Sequence, residues 1–239
     1  MLCMYQDNMA CLVFNHIFNI FAAVVAEIPQ LNMNKKIKNI IFDYGGILTS
    51  FEREGCIKAF NDLKAYDVAQ YVVDKRQEDF FYDLEMGNIS VHEFCNEARR
   101  IGRTDASDED LCRAWETLLA GVPSEKVRML ERLSEKYNLY MLSNTNSIHW
   151  DYSMAKIFPE AGINTDVLFK KVFLSYKMHL MKPSEDIFRK VVEDAAINAD
   201  ESIFIDDSEQ NCIAAQNTGL NVIHAPKGYE WMDIVKDLL

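Results

Sequence analysis

The sequence predicts an α/β protein with a Rossmann-like parallel sheet core and an inserted α-helical cap. Short apolar runs typical of buried strands alternate with segments of helical periodicity, and this alternation favours a parallel sheet covered by helices on both faces. The interval between the first two strands is long and carries helical pattern only. The predicted strands are residues 37–42, 138–142, 171–175, 202–205 and 220–223.

The first predicted strand ends in an acidic residue. Its apolar run is followed directly by Asp43 and, two residues later, by Gly45 and Gly46. Such a sequence is typical of a buried strand that leads into a tight loop. Because open α/β sheets bind ligands at the carboxyl ends of their strands, Asp43 is a candidate nucleophile, metal ligand or both. A solvated aspartate in a turn is the alternative interpretation.

The long interval after the first strand carries signals for several helices. Ser90 and Glu93 have the spacing of a capping box, in which two residues satisfy each other's free backbone N–H groups at a helix start. Ser107 opens a further segment whose apolar residues recur at helical spacing. We therefore predict a helical cap at residues 50–122. The predicted Rossmann-like core comprises residues 33–49 and 123–239.

Two later strands also end in polar side chains. Ser143 and Asn144 follow the second apolar run, where they can donate hydrogen bonds to a transferring group or cap the next helix. The fourth run ends in Asp206 and Asp207. Adjacent carboxylates repel each other unless a cation compensates their charge, so this pair is a candidate metal site, with helix capping as the alternative.

A lysine lies just ahead of a predicted helix start. Lys182 precedes Pro183, and proline restricts the residue before it to extended conformations. A lysine held in this way can act as a point charge on an anion; a solvated surface lysine is the alternative. Asn211 lies four residues after Asp207, on the same helical face, where it can orient the acids.

Carboxylate, hydroxyl, lysine and acid pair thus follow one another at Asp43, Ser143, Lys182 and 206–207. This order resembles the four motifs of the haloacid dehalogenase-like hydrolase superfamily, over roughly residues 36–239. The local run that begins at Glu85 also resembles the cap of the family's phosphatase branch. The resemblance implies a Mg²⁺-dependent phosphatase that acts on a small phosphorylated metabolite, such as a sugar phosphate, through an aspartyl-phosphate intermediate.

The resemblance also implies a role for each candidate residue. Asp43 and Lys182 would be catalytic, and Lys182 would bind the phosphoryl group as well. Ser143 and Asn144 would be the other residues that bind the phosphoryl group. The metal would be held by Asp43, the backbone carbonyl of Gly45, Asp206 and Asp207.

One position departs from the family pattern. Family phosphatases usually carry a second aspartate two residues after the nucleophile, where it protonates the leaving group and later activates water. This sequence has Gly45 there, as do members similar to glucose-1-phosphate phosphatase. General acid–base catalysis is typically worth ~10²–10⁴ in rate. Three explanations stay open: a leaving group that needs little protonation, a proton from the cap or the substrate, or a chain that is not a fast enzyme.

Two other functions stay open on the same fold. Carbon–halogen hydrolysis would use the same nucleophile but needs no Mg²⁺, so the pair Asp206 and Asp207 argues against it. A non-catalytic binding or scaffold protein is compatible with Gly45. Hydrolysis of an aryl phosphate with and without Mg²⁺ distinguishes the phosphatase from these two alternatives.

Composition argues against several partners. The chain of 239 residues has a formal net charge of −12 and no basic cluster, so binding of nucleic acid through its phosphates is not expected. Six scattered cysteines without a CxxC pair favour reduced thiols and a cytoplasmic location. We expect no stable membrane association.

The N-terminal segment differs from the rest of the sequence. Its apolar run, 11–28, is interrupted by polar residues and lacks the cationic start of a secretory signal. We interpret residues 1–32 as an extension upstream of the functional chain, which would begin near Met33. A membrane-associated or signal-like segment is the alternative.

Overall fold

The computed structural model describes residues 36–74, 80–228 and 230–238. Its strands are β1 (Asn39–Phe42), β2 (Asn138–Ser143), β3 (Lys171–Leu174), β4 (Ser202–Asp206) and β5 (Asn221–His224). They form one sheet in the order β3-β2-β1-β4-β5, in which every neighbouring pair is parallel. The predicted fold class is confirmed.

The central strand β1 fixes where the functional residues meet. Ile40, Ile41 and Phe42 are fully buried because helices cover both faces of the sheet. Strand β1 pairs with β2 on one side and with β4 on the other. The chain therefore changes sides of β1 between β3 and β4, and the gap between β1 and β4 is the switch point at which open α/β sheets bind ligands.

Helices occupy the interval between β1 and β2, as the sequence predicts. The capping box is present: the Ser90 hydroxyl accepts from the backbone N–H of Glu93, and the Glu93 carboxylate accepts from the backbone N–H of Ser90. The Ser107 hydroxyl likewise accepts from the N–H of Asp110. The boundaries 50–122 stay a prediction. The helices of this interval are α1 (Arg53–Asp62), α2 (Tyr66–Asp74), α3 (Phe80–Glu85), α4 (Val91–Gly102) and α5 (Asp108–Glu116).

These five helices, called here the helical insertion, have an apolar cluster of their own. It combines aliphatic side chains with aromatic ones, including Phe60, Phe81, Phe94 and Trp115. The cluster also contains Ile148 from the core, so the insertion packs on the core through apolar contact. Burial of such side chains stabilises by roughly 1.5–3 kcal/mol each.

The remaining helices surround the sheet. Those that follow β2 and β4 begin close to its carboxyl edge. A π-helix (Ser153–Ile157) and 3₁₀ turns (Ala199–Glu201 and Lys236–Leu238) complete the described secondary structure. The core helices are α6 (Ser124–Ser134), α7 (Ser147–Tyr152), α8 (Phe158–Ala161), α9 (Thr165–Leu168), α10 (Ser175–Met178), α11 (Glu185–Ala195), α12 (Glu209–Asn217) and α13 (Trp231–Val235).

Some sequence predictions fall outside the described residues. The predicted N-terminal extension, residues 1–32, lies there entirely. In the part of the chain that is described, no helix is long and apolar enough to cross a membrane. The described cysteines, at positions 56, 95, 112 and 212, are all free thiols.

Candidate active site

Two carboxylates and a lysine meet at the switch point of the sheet. Asp43 follows β1 directly, and Asp206 is the last residue of β4. The Nζ atom of Lys182 lies 2.8 Å from Oδ1 of Asp43 and 2.7 Å from Oδ2 of Asp206. It also donates to the backbone carbonyl of Leu142, at 3.2 Å. The three charged side chains are almost completely buried, at 7%, 4% and 0% exposed for Asp43, Lys182 and Asp206.

Burial and mutual attraction set the charge state of this trio. Burial alone lowers the pKa of Lys182, but the neighbouring charges of Asp43 and Asp206 outweigh it and raise its pKa overall. Lys182 is therefore a permanent positive charge. Burial raises the pKa of Asp43 to about 7, against the attraction of Lys182, and Asp206 adds to the increase. A further cation at the site would favour the ionised form of Asp43.

Asn144 holds the backbone of Lys182 from both sides. Its Nδ2 donates to the Lys182 carbonyl at 2.9 Å, and its Oδ1 accepts from the Lys182 N–H at 3.0 Å. Sequence reasoning proposed Asn144 as a ligand of the phosphoryl group. The observed bonds engage its side-chain amide in positioning the lysine, and binding of the phosphoryl group by Asn144 stays a prediction.

A third carboxylate lies beside the trio. Oxygen atoms of Asp43, Asp206 and Asp207 lie within 4.8 Å of one another, while Lys182 supplies a single positive charge. Burial, followed by repulsion from Asp206, raises the pKa of Asp207. Within the described residues, no side chain donates a hydrogen bond to the Asp207 carboxylate or pairs with it. Three close carboxylates with one cation between them leave negative charge uncompensated.

Room for the Asp207 carboxylate comes from a glycine. Gly46 has a φ of 84°, which L residues with a side chain rarely adopt. A Cβ atom on Gly46 would lie 2.4 Å from Oδ2 of Asp207. The loop after β1 is thus shaped around a carboxylate that has no side-chain partner among the described residues. Oxygen ligands of this kind, with excess negative charge, fit a hard divalent cation such as Mg²⁺.

The two neighbouring acids differ in environment. The Asp206 carboxylate accepts from Nδ2 of Asn211 at 3.0 and 3.1 Å and from the N–H of Ser208 at 2.8 Å. Asp206 is fully buried behind Lys182, whereas Asp207 lines a cavity. Asn211 therefore orients Asp206, and Asp207 is the acid of the pair that lines the cavity.

The cavity measures about 240 Å³. This volume is below the roughly 300–1,000 Å³ typical of pockets for drug-sized ligands, so a small substrate suits it. Every predicted site residue lines the cavity except the buried Asp206. The helical insertion supplies part of the wall. The lining of the cavity includes Asp43, Gly45, Ser143, Asn144, Lys182 and Asp207 from the core, together with Phe51 and Glu85.

Phe51 occupies the space in front of Gly45. A Cβ atom at Gly45 would lie 2.5 Å from Cζ of the Phe51 ring. The ring is 38% exposed, and the guanidinium of Arg53 lies 5.3 Å from its centroid. Sequence reasoning missed Phe51, because no local pattern links it to Gly45. The ring fills the volume into which a side chain at position 45 would project.

Removing the buried lysine should destabilise the protein strongly. In Lys182→Met, the apolar stem is kept but Asp43 and Asp206 lose their common cation. Breaking a buried ion pair in this way costs about 3–5 kcal/mol. We expect a loss of that size in the free energy of unfolding, measured by urea denaturation in chelator. Lys58→Met, at an exposed lysine, serves as control; a loss as small as the control's would contradict the ion-pair geometry.

The fold and site together define a class of protein. A parallel α/β core, a helical insertion after its first strand and a buried carboxylate–lysine centre at its switch point are features of a Rossmann-like hydrolase. The model of the haloacid dehalogenase-like hydrolase family matches residues 37–219. The chain belongs to that family.

Similar proteins with more specific descriptions support this assignment. A D-ribitol-5-phosphate phosphatase of Bacteroides thetaiotaomicron is 27% identical over 195 residues, which are 82% of this chain and 95% of the relative. A family enzyme from the same species, solved with magnesium and inorganic phosphate, is 36% identical with a TM-score of 0.77, covering 83% of this chain and 98% of that one. A predicted family hydrolase of Porphyromonas gingivalis is 31% identical, with a TM-score of 0.77 and coverages of 85% and 98%.

Proposed function

We propose that this protein is a Mg²⁺-dependent phosphatase that hydrolyses a small sugar or sugar-alcohol phosphate. The observation that carries the proposal is the cluster of Asp43, Lys182 and Asp207 at one cavity on the switch point. A phosphate monoester needs a nucleophile and compensation of its negative charge. The cluster offers both.

Asp43 is the proposed nucleophile. Its Oδ1 accepts from Nζ of Lys182 and from the N–H of Tyr44, at 2.8 and 2.7 Å. Within the described residues Oδ2 has no hydrogen-bond partner. Attack by a carboxylate oxygen on phosphorus gives an aspartyl-phosphate, which water then hydrolyses.

The phosphoryl group would be bound by two side chains of the cavity. The Nζ atom of Lys182 compensates its charge, and the Ser143 hydroxyl can donate a hydrogen bond to one of its oxygens. Asn144 acts indirectly, by fixing the backbone of Lys182. Ser143 is 2% exposed, so its bond to a ligand would form away from competing water.

The metal would be held by Asp43, the Gly45 carbonyl and Asp207, with Asp206 as the remaining acid of the cluster. When bound, Mg²⁺ supplies positive charge that lowers the repulsion between the phosphate and the carboxylates. The uncompensated carboxylate of Asp207 supports this assignment. Lys182, meanwhile, keeps Asp43 oriented whether or not substrate is present.

The cavity and the relatives support the proposed substrate class. A small cavity suits a metabolite, and one relative is a D-ribitol-5-phosphate phosphatase. The net charge of −12 argues against nucleic acid as a substrate.

The free described thiols favour the reducing cytoplasm, and we propose that location, without stable membrane association.

Release of phosphate and of halide together tests the proposal. The unmodified protein is assayed on D-ribitol 5-phosphate, on para-nitrophenyl phosphate and, for halide release, on chloroacetate. We expect phosphate release with Mg²⁺, its loss in EDTA and its return with excess Mg²⁺. Chloride release would favour the dehalogenase alternative, and full phosphate release in chelator would contradict the Mg²⁺ requirement. Absence of both activities would favour a binding protein.

A further inference from the structure

The proposed reaction needs a proton that Gly45 cannot give. Ribitol phosphate is an alkyl phosphate, and its leaving oxygen is a poor alkoxide unless it is protonated as the P–O bond breaks. The core loop after β1 has glycine at the position of the family's usual acid, and Phe51 fills the adjacent space. Another group at the cavity must then carry the proton.

We propose that Glu85, the last residue of α3, is the general acid and general base of this phosphatase. This inference rests on the proposed function. Glu85 lines the same cavity as Asp43, Lys182 and Asp207, but it comes from the helical insertion. Its carboxylate has no hydrogen-bond or ion-pair partner in the described part of the chain. Such a group is available to a substrate.

The backbone around Glu85 is fixed to the core. Its carbonyl accepts from the Ser175 hydroxyl at 2.7 Å, and the same hydroxyl oxygen accepts from the N–H of Thr145 at 2.9 Å. Thr145 follows β2 closely and itself lines the cavity. Glu85 is thereby held at a defined place relative to the sheet edge that carries Asp43.

The turn after Glu85 packs equally closely on the core. Gly87 has a φ of 69°, and a Cβ atom there would lie 2.2 Å from the carbonyl oxygen of Tyr176. The carbonyl of Met86 lies 2.9 Å from Nδ1 of His179. Only glycine permits this approach, so the turn that follows Glu85 is built to sit on the core.

The surroundings of Glu85 suit proton transfer. Burial raises the pKa of Glu85 to about 7, and no neighbouring charge opposes this rise. A carboxyl group with such a pKa is populated in both protonation states near neutral pH. General acids and bases work best when their pKa lies near the working pH.

Other titratable residues of the cavity wall are already engaged. Nε2 of His149 lies 2.9 Å from the carbonyl of Trp115, and burial lowers the pKa of His149 to about 4. The Tyr44 hydroxyl donates to Ser153, and burial raises the pKa of Tyr44 to about 12. Asp43, Lys182 and Asp207 already have roles in the proposed site. Among the described lining residues, this leaves Glu85.

Glu85 alone can supply the proton in the first step of the reaction and recover a proton in the second. In the first step, a carboxylate oxygen of Asp43 bonds to phosphorus while the bond from phosphorus to the alcohol oxygen breaks. The alcohol oxygen keeps the electron pair of that bond and takes the proton of the Glu85 carboxyl group. The alcohol leaves, and Glu85 is ionised. In the second, Glu85 removes a proton from water as the water oxygen bonds to phosphorus. The bond from phosphorus to Asp43 breaks, which releases phosphate and restores both residues.

Leaving-group dependence tests this role. Glu85→Gln keeps the size and polarity of the side chain but cannot transfer the proton. With saturating Mg²⁺, we expect kcat/KM for D-ribitol 5-phosphate to fall by about 10²–10⁴. For para-nitrophenyl phosphate, whose leaving group needs no proton, we expect a loss below about tenfold. Glu116→Gln is the matched control: burial also raises the pKa of Glu116 in the insertion, but it does not line the cavity.

The outcomes separate the possible roles. A selective loss on the alkyl ester supports proton transfer by Glu85. An equal loss on both esters would overturn it in favour of a positioning role, and no loss on either would exclude Glu85 altogether. Failure of the phosphatase proposal itself appears differently: the unmodified protein would hydrolyse neither ester with Mg²⁺, and both proposals would then fall.

Discussion

Asp43→Asn should abolish turnover while leaving the fold intact. The amide cannot form the phosphoenzyme, and loss of a nucleophile typically costs at least about 10⁴ in kcat. The substitution keeps the shape of the side chain and removes one of three close carboxylates, so repulsion falls. Asp43, like Asp206, is an ion-pair partner of Lys182, so the lower repulsion offsets only part of the lost pairing. We therefore expect the protein to stay folded in chelator, with a loss in the free energy of unfolding no larger than that of Asp206→Asn. Initial rates on D-ribitol 5-phosphate, with circular dichroism and thermal unfolding, measure both effects.

The matched control for Asp43→Asn is Asp67→Asn, at an exposed aspartate of α2. It makes the same chemical change far from the cavity lining and should leave the rate unchanged. If clean Asp43→Asn protein kept more than a few per cent of the activity, the covalent mechanism would be wrong.

The second large effect concerns the acid pair, whose members the structure distinguishes. Asp207 lines the cavity and has no side-chain partner in the described part of the chain, so Asp207→Asn should weaken Mg²⁺ binding with little change in stability. Asp206 pairs with Lys182, so Asp206→Asn should also lower the free energy of unfolding, by about 1.5–3 kcal/mol for a hydrogen bond to a charged group. Replacement of both should reproduce the loss of activity seen in EDTA.

Mg²⁺ affinity is measured by titrating each variant with Mg²⁺ and following its activity and, by calorimetry, the heat released. Urea denaturation in chelator measures the free energy of unfolding. Asp207→Asn is the informative variant, because its fold should match the unmodified protein. An unchanged Mg²⁺ dependence in this variant would remove Asp207 from the proposed metal site and leave its uncompensated charge without an explanation.

Sequence patterns located the strands and several helix starts because those signals are local. The predicted strands 37–42 and 202–205 correspond to β1 and β4, and Ser90 and Glu93 form the expected capping box. The meeting of Asp43 with Asp206 also followed from sequence, since the carboxyl ends of parallel strands share one edge.

Contacts between distant parts of the chain could not be predicted in the same way. No sequence pattern places the Phe51 ring against Gly45 or the Asn144 amide on the backbone of Lys182. The different environments of Asp206 and Asp207 could not be predicted either. Alternation along a strand places the two side chains on opposite faces, but the sequence does not show which of them contacts the lysine. Glu85 was visible only as part of a family-like run, and its exposure to the cavity depends on how the insertion docks.

In the proposed mechanism, Asp43 carries the phosphoryl group between substrate and water. The stereochemical course at phosphorus tests it most directly, with an ester made chiral by sulfur and oxygen isotopes and hydrolysed in isotopically labelled water. Each in-line displacement inverts the configuration, so transfer through Asp43 predicts net retention. Net inversion would mean direct attack by water and would contradict the account.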